Sequence, residues 1–181
     1  MKQLRNYINI RKGKSTVNAT NETIQKIVRN ELDRLGHDAD LNHIDVSEVT
    51  NMDNLFSSST SNIDSLGENY EDINPDVSKW NVSNVISMKY MFYNCINFNC
   101  DISGWDVSNV EDMTSMFHYC EKFNKDISNW NISNVKTMKY MFFYCKKFNQ
   151  NLSGWDVRNV KDARFIFDYC RIKEEFKPKF K

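Results

Sequence analysis

Four tryptophans and four cysteines stand at an unvarying interval of 25 residues: Trp80, Trp105, Trp130 and Trp155, then Cys95, Cys120, Cys145 and Cys170. Laying Asp101 to Lys125 (DISGWDVSNVEDMTSMFHYCEKFNK) over its neighbours at that shift reproduces most apolar positions. A fixed period of this length belongs to chains of small units, none of which can bury its own apolar face, so that each must stack on the next. The pattern starts before the tryptophans. Asp40 to Val49 aligns with Asp101 to Val110, with Ile44 in the Trp slot, and Met52, Leu55 and Phe56 match Met113, Met116 and Phe117. From Ile44 to Trp80 the interval is 36 residues, 11 more than the period, which places an insertion rich in Ser, Asn and Asp within 57–74.

Two shorter periods alternate inside a unit. Ile102, Trp105, Val107 and Val110 lie in a β-branched and aromatic segment, with Trp105 and Val107 on one face and Asp106 and Ser108 on the other, which suits a short strand. Met113, Met116, Phe117, Cys120 and Phe123 then follow the i, i+3, i+4, i+7 spacing of one helix side. The expected architecture is an α/β solenoid, leucine-rich-repeat-like: a right-handed stack of about five strand-turn-helix coils starting near 40, 76, 101, 126 and 151 and filling 40–170. Ahead of it, Thr20 and Asn21 precede an apolar stripe at Ile24, Ile27, Val28, Leu32 and Leu35 that stops at Gly36, so 20–39 reads as a capping helix over the open end. A basic leader (1–19) and a basic tail (171–181) complete the chain.

The balance of 24 Lys plus Arg against 24 Asp plus Glu gives no basic excess to argue for nucleic acid. The leader has no apolar run of signal-peptide length, and no later stretch approaches the roughly 20 residues of a spanning helix. The expectation is a cytoplasmic chain without membrane insertion. Five cysteines, four of them in one register, fit free buried thiols better than disulfides, because neighbouring helices sit about 8–10 Å apart and a disulfide needs Cα atoms within about 7 Å. Their spacing is equally poor for zinc.

The repeated unit, D-[IV]-S-x-W-[DN]-[VI]-S-N-V-x-x-M-x-x-M-F-x-x-C-x-x-F-N, resembles the BspA-like leucine-rich repeat family, also known from mycoplasma lipoprotein-associated repeats, over about 40–170. The resemblance implies adhesion and protein binding at bacterial surfaces, and short members without an export signal resemble products of gut bacteria and their phages. A cell-surface location is what it implies for the compartment.

No catalytic constellation is visible. His37, His43 and His118 are scattered, five glycines give little material for a phosphate loop, and no catalytic, cofactor or metal residue is assigned. The Trp, Met, Phe and Cys columns read as core, and the Asn column (Asn84, Asn109, Asn134, Asn159) as acceptors for free N–H groups at the following helix. On the outward strand face the row Asp45, Asn81, Asp106, Asn131, Asp156 alternates charge, which avoids like-charge neighbours about 4.8 Å apart; Arg158 breaks the serine row beside it. The outward helical rows differ: Tyr90, Ser115, Tyr140, Phe165 and Tyr93, His118, Phe143, Asp168 place aromatics where a unit's own core cannot use them.

The expected function is therefore a non-enzymatic protein–protein interaction module whose partner is another protein or a second copy. Tyr90, Tyr93, His118, Tyr140, Phe143 and Phe165 are its candidate binding residues, and Asp106, Asn131, Asp156 and Arg158 form the alternative strand-face site. A carbohydrate-binding adhesin fragment, or a phage- or mobile-element-encoded inhibitor or adaptor of a bacterial protein, are the alternatives.

Overall fold

The computed structural model describes residues 16–59 and 66–180. Most of the basic leader, the centre of the insertion and the last residue of the tail lie outside the described residues. Within them there is one α-helix, α1 (Ile24–Leu35), and one sheet, in which β1 (Val17–Asn18) pairs in parallel with β2 (Ile44–Asp45). Two single 3-10 turns, Glu68–Tyr70 and Glu174–Phe176, are the other regular elements, and everything else is turn and loop. This overturns the α/β solenoid of about five strand-turn-helix coils: none of the 25-residue units contains a helix, and only the first contributes a strand, two residues long.

The reason is the destination of the backbone N–H groups. A helix returns each N–H to the carbonyl four residues earlier. In Met88–Cys95 the N–H groups of Met91, Tyr93 and Cys95 instead close β-turns onto the carbonyls of Met88, Tyr90 and Phe92 at 3.1–3.2 Å. Those of Met88, Tyr90, Phe92 and Asn94 leave the segment and reach Asp112, Thr114, Met116 and His118 in the next unit at 2.8–3.0 Å. The turns overlap, beginning every two residues, and their conformation repeats every four, with positive φ at Tyr90 and Asn94, so the buried side chains Met88, Met91, Phe92 and Cys95 recur at i, i+3, i+4, i+7, as they would on a helix. The tryptophan segment behaves likewise: Trp105 N–H closes a turn on Ile102 at 3.1 Å and Val110 N–H another on Val107 at 3.0 Å, where a strand was expected. Single parallel bridges join Asn51, Ser87, Asp112, Thr137 and Asp162 in sequence.

The core runs through these units in columns. Trp80, Trp105, Trp130 and Trp155 are only 4–5% exposed. Each indole N–H donates to a carbonyl of the unit before, at Leu41, Val77, Ile102 and Ile127, over 3.0–3.2 Å. A buried Trp needs such a partner for its one polar atom. Phe92, Phe117 and Phe142 stack with centroids 5.7–5.8 Å apart. The thiols of Cys95, Cys120 and Cys145 are fully buried, each within 3.0–3.1 Å of a carbonyl of the preceding unit, and burial pushes their pKa up. All five cysteines are free.

At the start of the chain, α1 buries Ile24, Ile27, Val28 and Leu32 in the same core and ends at Gly36, whose φ of 92° opens the left-handed region that glycine tolerates, with its N–H on Leu32 at 2.8 Å. Neither Thr20 nor Asn21 caps it. Asn21 turns its amide oxygen to the N–H groups of Thr50 and Asn51 at 2.9 and 3.1 Å, tying the helix entrance to the first unit. Among the described residues no helix is long and apolar enough to cross a membrane.

Candidate functional site

The turn geometry creates an unusual backbone position twice in each of the four later units and once in the first. Among the described residues nine that are not glycine have φ between 54 and 62°: Asn54, Tyr90, Ser115, Tyr140 and Phe165 in one row, Asn94, Tyr119, Tyr144 and Tyr169 in another. Each occupies the third position of a turn, where positive φ favours Gly or Asn, and for an L-residue with a bulky side chain the left-handed region costs about 1–2 kcal/mol. Six of the nine carry an aromatic ring, which makes this a costly arrangement to build.

These rings join the neighbouring row into one continuous surface. Tyr90 meets Tyr93 edge-on with centroids 5.7 Å apart. Tyr93 contacts His118 at 4.9 Å, His118 contacts Tyr119 and Phe143 at 4.7 Å each, and Tyr119 contacts Tyr144 at 5.1 Å. Tyr140 stacks on Phe165 at 5.0 Å, and Tyr144 and Phe143 both reach Tyr169 at 5.3 Å. None of these side chains is in the buried core; most are half-buried, while Phe165 and Tyr169 are 47% and 70% exposed. Lys89, Lys139 and Lys146 lie over Tyr90, Tyr140 and Tyr144 at 4.6–5.4 Å, where the ring faces attract a cation.

All six aromatic candidates, Tyr90, Tyr93, His118, Tyr140, Phe143 and Phe165, are thus brought onto one surface. Ser115, read from sequence as outward, is only 2% exposed, and Asp168 is exposed without a ring to contribute. Sequence reasoning missed Tyr119, Tyr144 and Tyr169. The signal was present as a tyrosine immediately before each of three ladder cysteines, but a helical reading turned that position away from the aromatic rows. At the centre, His118 Nδ1 is buried with no hydrogen-bond partner among the described residues, and desolvation lowers the imidazole pKa to about 4. Burial also raises the Tyr93 hydroxyl.

The opposite candidate face spends its polar groups on turns. Asp106 accepts the Ser108 N–H at 3.0 Å and Asn131 the Ser133 N–H at 3.2 Å, and the Ser108 bonds hold Asp106 below the ordinary carboxylate range. Asp156 pairs with Arg158 at 2.7 Å within its own unit, and its pKa falls to about 2 through that hydrogen bond. The Asp and Asn row is thus a series of side-chain turns first and a charge-spacing device only second. The Asn column, expected to accept N–H groups, donates instead: Asn84, Asn109, Asn134 and Asn159 give Nδ2–H to the Ser47, Ser83, Ser108 and Ser133 carbonyls at 2.7–2.8 Å. Asn84, Asn109 and Asn134 line an open groove of about 510 Å³ together with Glu48, Ile86 and Glu111. Among the described residues no cluster of three or more His, Cys, Asp or Glu side chains is placed to hold a metal ion.

A family model described as "Mycoplasma protein of unknown function, DUF285" matches residues 22–68 and 61–178. That family is not the BspA-like leucine-rich repeat family that the repeated motif resembles. No curated protein and no solved structure matches the chain.

Proposed function

The chain belongs to the family described as Mycoplasma protein of unknown function, DUF285, and we propose that it is a non-enzymatic module that binds another protein through the aromatic surface running from Tyr90 to Tyr169. One observation carries this reading: large rings stand in contact outside the core, six of them on backbone positions that disfavour them. A fold that needed only a turn there would be more stable with Gly or Asn, so the rings have a use the core does not supply. Tyr and Phe offer wide, rigid apolar area at small entropic cost, the composition of interface centres, and Lys89 and Lys139 supply a polar rim. We place the module in a reducing compartment, which its five free cysteines favour.

A sugar-binding track built on the tryptophans has no support in their burial. A sugar site on the exposed tyrosines remains the competing occupant, and the same pair of variants tests both. Tyr140→Ser with Phe143→Ser removes ring area at the centre of the surface; Ser115 and His118 already show that these rows accept smaller or polar residues. Immobilised full chain should retain a discrete partner protein that the double variant loses, with thermal unfolding displaced only slightly. Capture lost instead by Asp106→Lys with Arg158→Glu, or selective glycan binding with no protein partner, overturns the reading.

A further inference from the structure

The aromatic surface runs along the flank of the units; their two ends pose a separate question. Between units 126–150 and 151–170, the N–H groups of Met138, Tyr140, Phe142 and Tyr144 are satisfied by the carbonyls of Asp162, Arg164, Ile166 and Asp168 at 2.9–3.1 Å. The equivalent donors of the last unit, on Ala163, Phe165, Phe167 and Tyr169, meet no acceptor among the described residues. The tail does not take their place. It turns to the tryptophan side, where Phe176 O accepts Leu152 N–H at 2.8 Å and Lys173 N–H reaches Asn149 Oδ1 at 3.0 Å.

The first unit has the converse deficit. In the following unit the carbonyls of Ser87, Lys89 and Met91 accept Met52, Asn54 and Phe56 at 2.8–2.9 Å. Their equivalents, Asn51, Asp53 and Leu55, accept no backbone N–H among the described residues, whereas the fourth, Ser57, is taken by Leu66 at 2.8 Å. A groove of about 360 Å³ lies along Asn51–Leu55, bordered by Asn21, Ile24 and Gln25 beside α1. One end of the molecule therefore offers donors at every second residue, and the other offers acceptors in the same two-residue spacing.

Charge matches in the same sense. Lys161 and Arg171 are exposed at the donor end, where Arg164 is held by Asp162 at 2.7 Å, and Glu22 and Glu48 are exposed at the acceptor end, where Lys26 and Arg29 of α1 are exposed as well, so the match rests on Lys161 and Glu48. Inside the chain, neighbouring units already pair opposite charges this way, Lys136 with Glu111 at 2.5 Å and Lys146 with Glu121 at 2.7 Å. We propose that the chain self-associates head to tail, the ribbon 162–169 of one copy docking on the carbonyl row 51–55 of a second copy. A strand with ordinary extended spacing would drift out of step with a ribbon of turns, and a second copy carries the matching ribbon. Such an interface is heterologous, so it grows into open assemblies unless the rotation closes a ring.

Sedimentation velocity of the full chain across an approximately hundredfold concentration range tests this, since mass action makes assembly depend on protomer concentration. The expected result is a mean sedimentation coefficient that climbs without stopping at two copies and falls when salt is added. Amide exchange at residues 163, 165, 167 and 169 should slow in parallel. Lys161→Glu and Glu48→Lys, each alone, should weaken association by about tenfold or more, and mixing the two variants should restore it because each then offers the other's missing charge. A single species at every concentration with fast exchange at those four amides, a plateau at two copies, or failure of the mixture to associate overturns the proposal. The exchange measurement uses the unaltered chain and so stands even where a charge reversal disturbs folding.

Discussion

Units 126–150 and 151–170 carry nearly the same motif, yet equivalent side chains meet different surroundings. Met138, Phe142 and Cys145 are fully buried, while Ala163, Phe167 and Cys170 are half-buried. Tyr144 is half-buried between Tyr119 and Tyr169, and Tyr169 itself is 70% exposed. Trp155, by contrast, is as covered as Trp130, because the tail returns over its side with Ile172 and Pro178 buried. Local sequence sets the turns, and the neighbouring unit decides whether a side chain is core or surface, as expected where stability sums over nearest-neighbour contacts.

The sharpest way to break this comparison is to remove the tryptophan from each unit. Trp130→Ala should cost about 3–5 kcal/mol, since it leaves a void between two packed neighbours and removes one of the two hydrogen bonds that the Ile102 carbonyl accepts. Trp155→Ala should cost clearly less, because the last unit yields on its open side. Denaturant melts of the two variants decide it. Equal losses would mean that the tail fixes the last unit as firmly as a further unit would, and the terminal unit would then no longer count as weak.

How much of this was legible from sequence depends on which bonds a residue makes. The core columns were readable because Trp130, Phe142 and Cys145 have nowhere else to go, and α1 was readable from its stripe and its terminal glycine. The strand-turn-helix interpretation failed because tandem turns and a helix give the same apolar spacing. The two differ in whether Tyr90 N–H bonds inside its own segment or to Thr114, and no residue identity records that. The aromatic rows were found for a reason the structure alters: the row of Tyr90, Tyr140 and Phe165 lies on the turns at positive φ, and neither row has a helix beneath it. Tyr119 and Tyr144 were lost with the helical geometry. The open donor and acceptor ends could not be read at all, since they are properties of missing neighbours.

A second contrast follows one row from inside to end: Tyr93, His118, Phe143, Asp168. His118 is enclosed by rings and has its pKa lowered to about 4 from 6.5, whereas Asp168 in the last unit is exposed. A histidine whose folded pKa lies below its unfolded value binds its proton better when unfolded. Its contribution is therefore intact above about pH 6.5 and is lost as the pH falls from there towards about 4, by about 1–2 kcal/mol once solvent screening of the half-covered ring is allowed for. Asp76 acts in a lower window: hydrogen bonds from Ser78 lower it to about 2, so its contribution is lost only as the pH drops from the ordinary carboxylate range towards that value. Unfolding temperature against pH should sag between 6.5 and 4 in the native chain and stay level there in His118→Phe. Parallel curves for the two proteins would show that the enclosed imidazole has no energetic consequence.

The smallest effect concerns the strained rows and asks whether contact with a neighbour compensates the backbone. Tyr144 and Tyr169 share positive φ, 62 and 56°, and Asn94 fills the same row two units earlier than Tyr144. Asparagine tolerates the left-handed region better than tyrosine, so each exchange relieves about 1 kcal/mol of backbone cost. At Tyr169 little packing is lost, and Tyr169→Asn should raise stability by about 0.5 kcal/mol. At Tyr144 the exchange also removes ring contacts to Tyr119 and Tyr169 and the Lys146 ammonium over its face, so Tyr144→Asn should lower stability by about 0.5–1 kcal/mol. Opposite signs at two sites with one backbone conformation would show that the ring surface is held together by its neighbours and is dispensable to the fold at its exposed end. Two losses of similar size would mean that tyrosine is required by the turn itself, and the argument that these rings serve a partner would lose its footing.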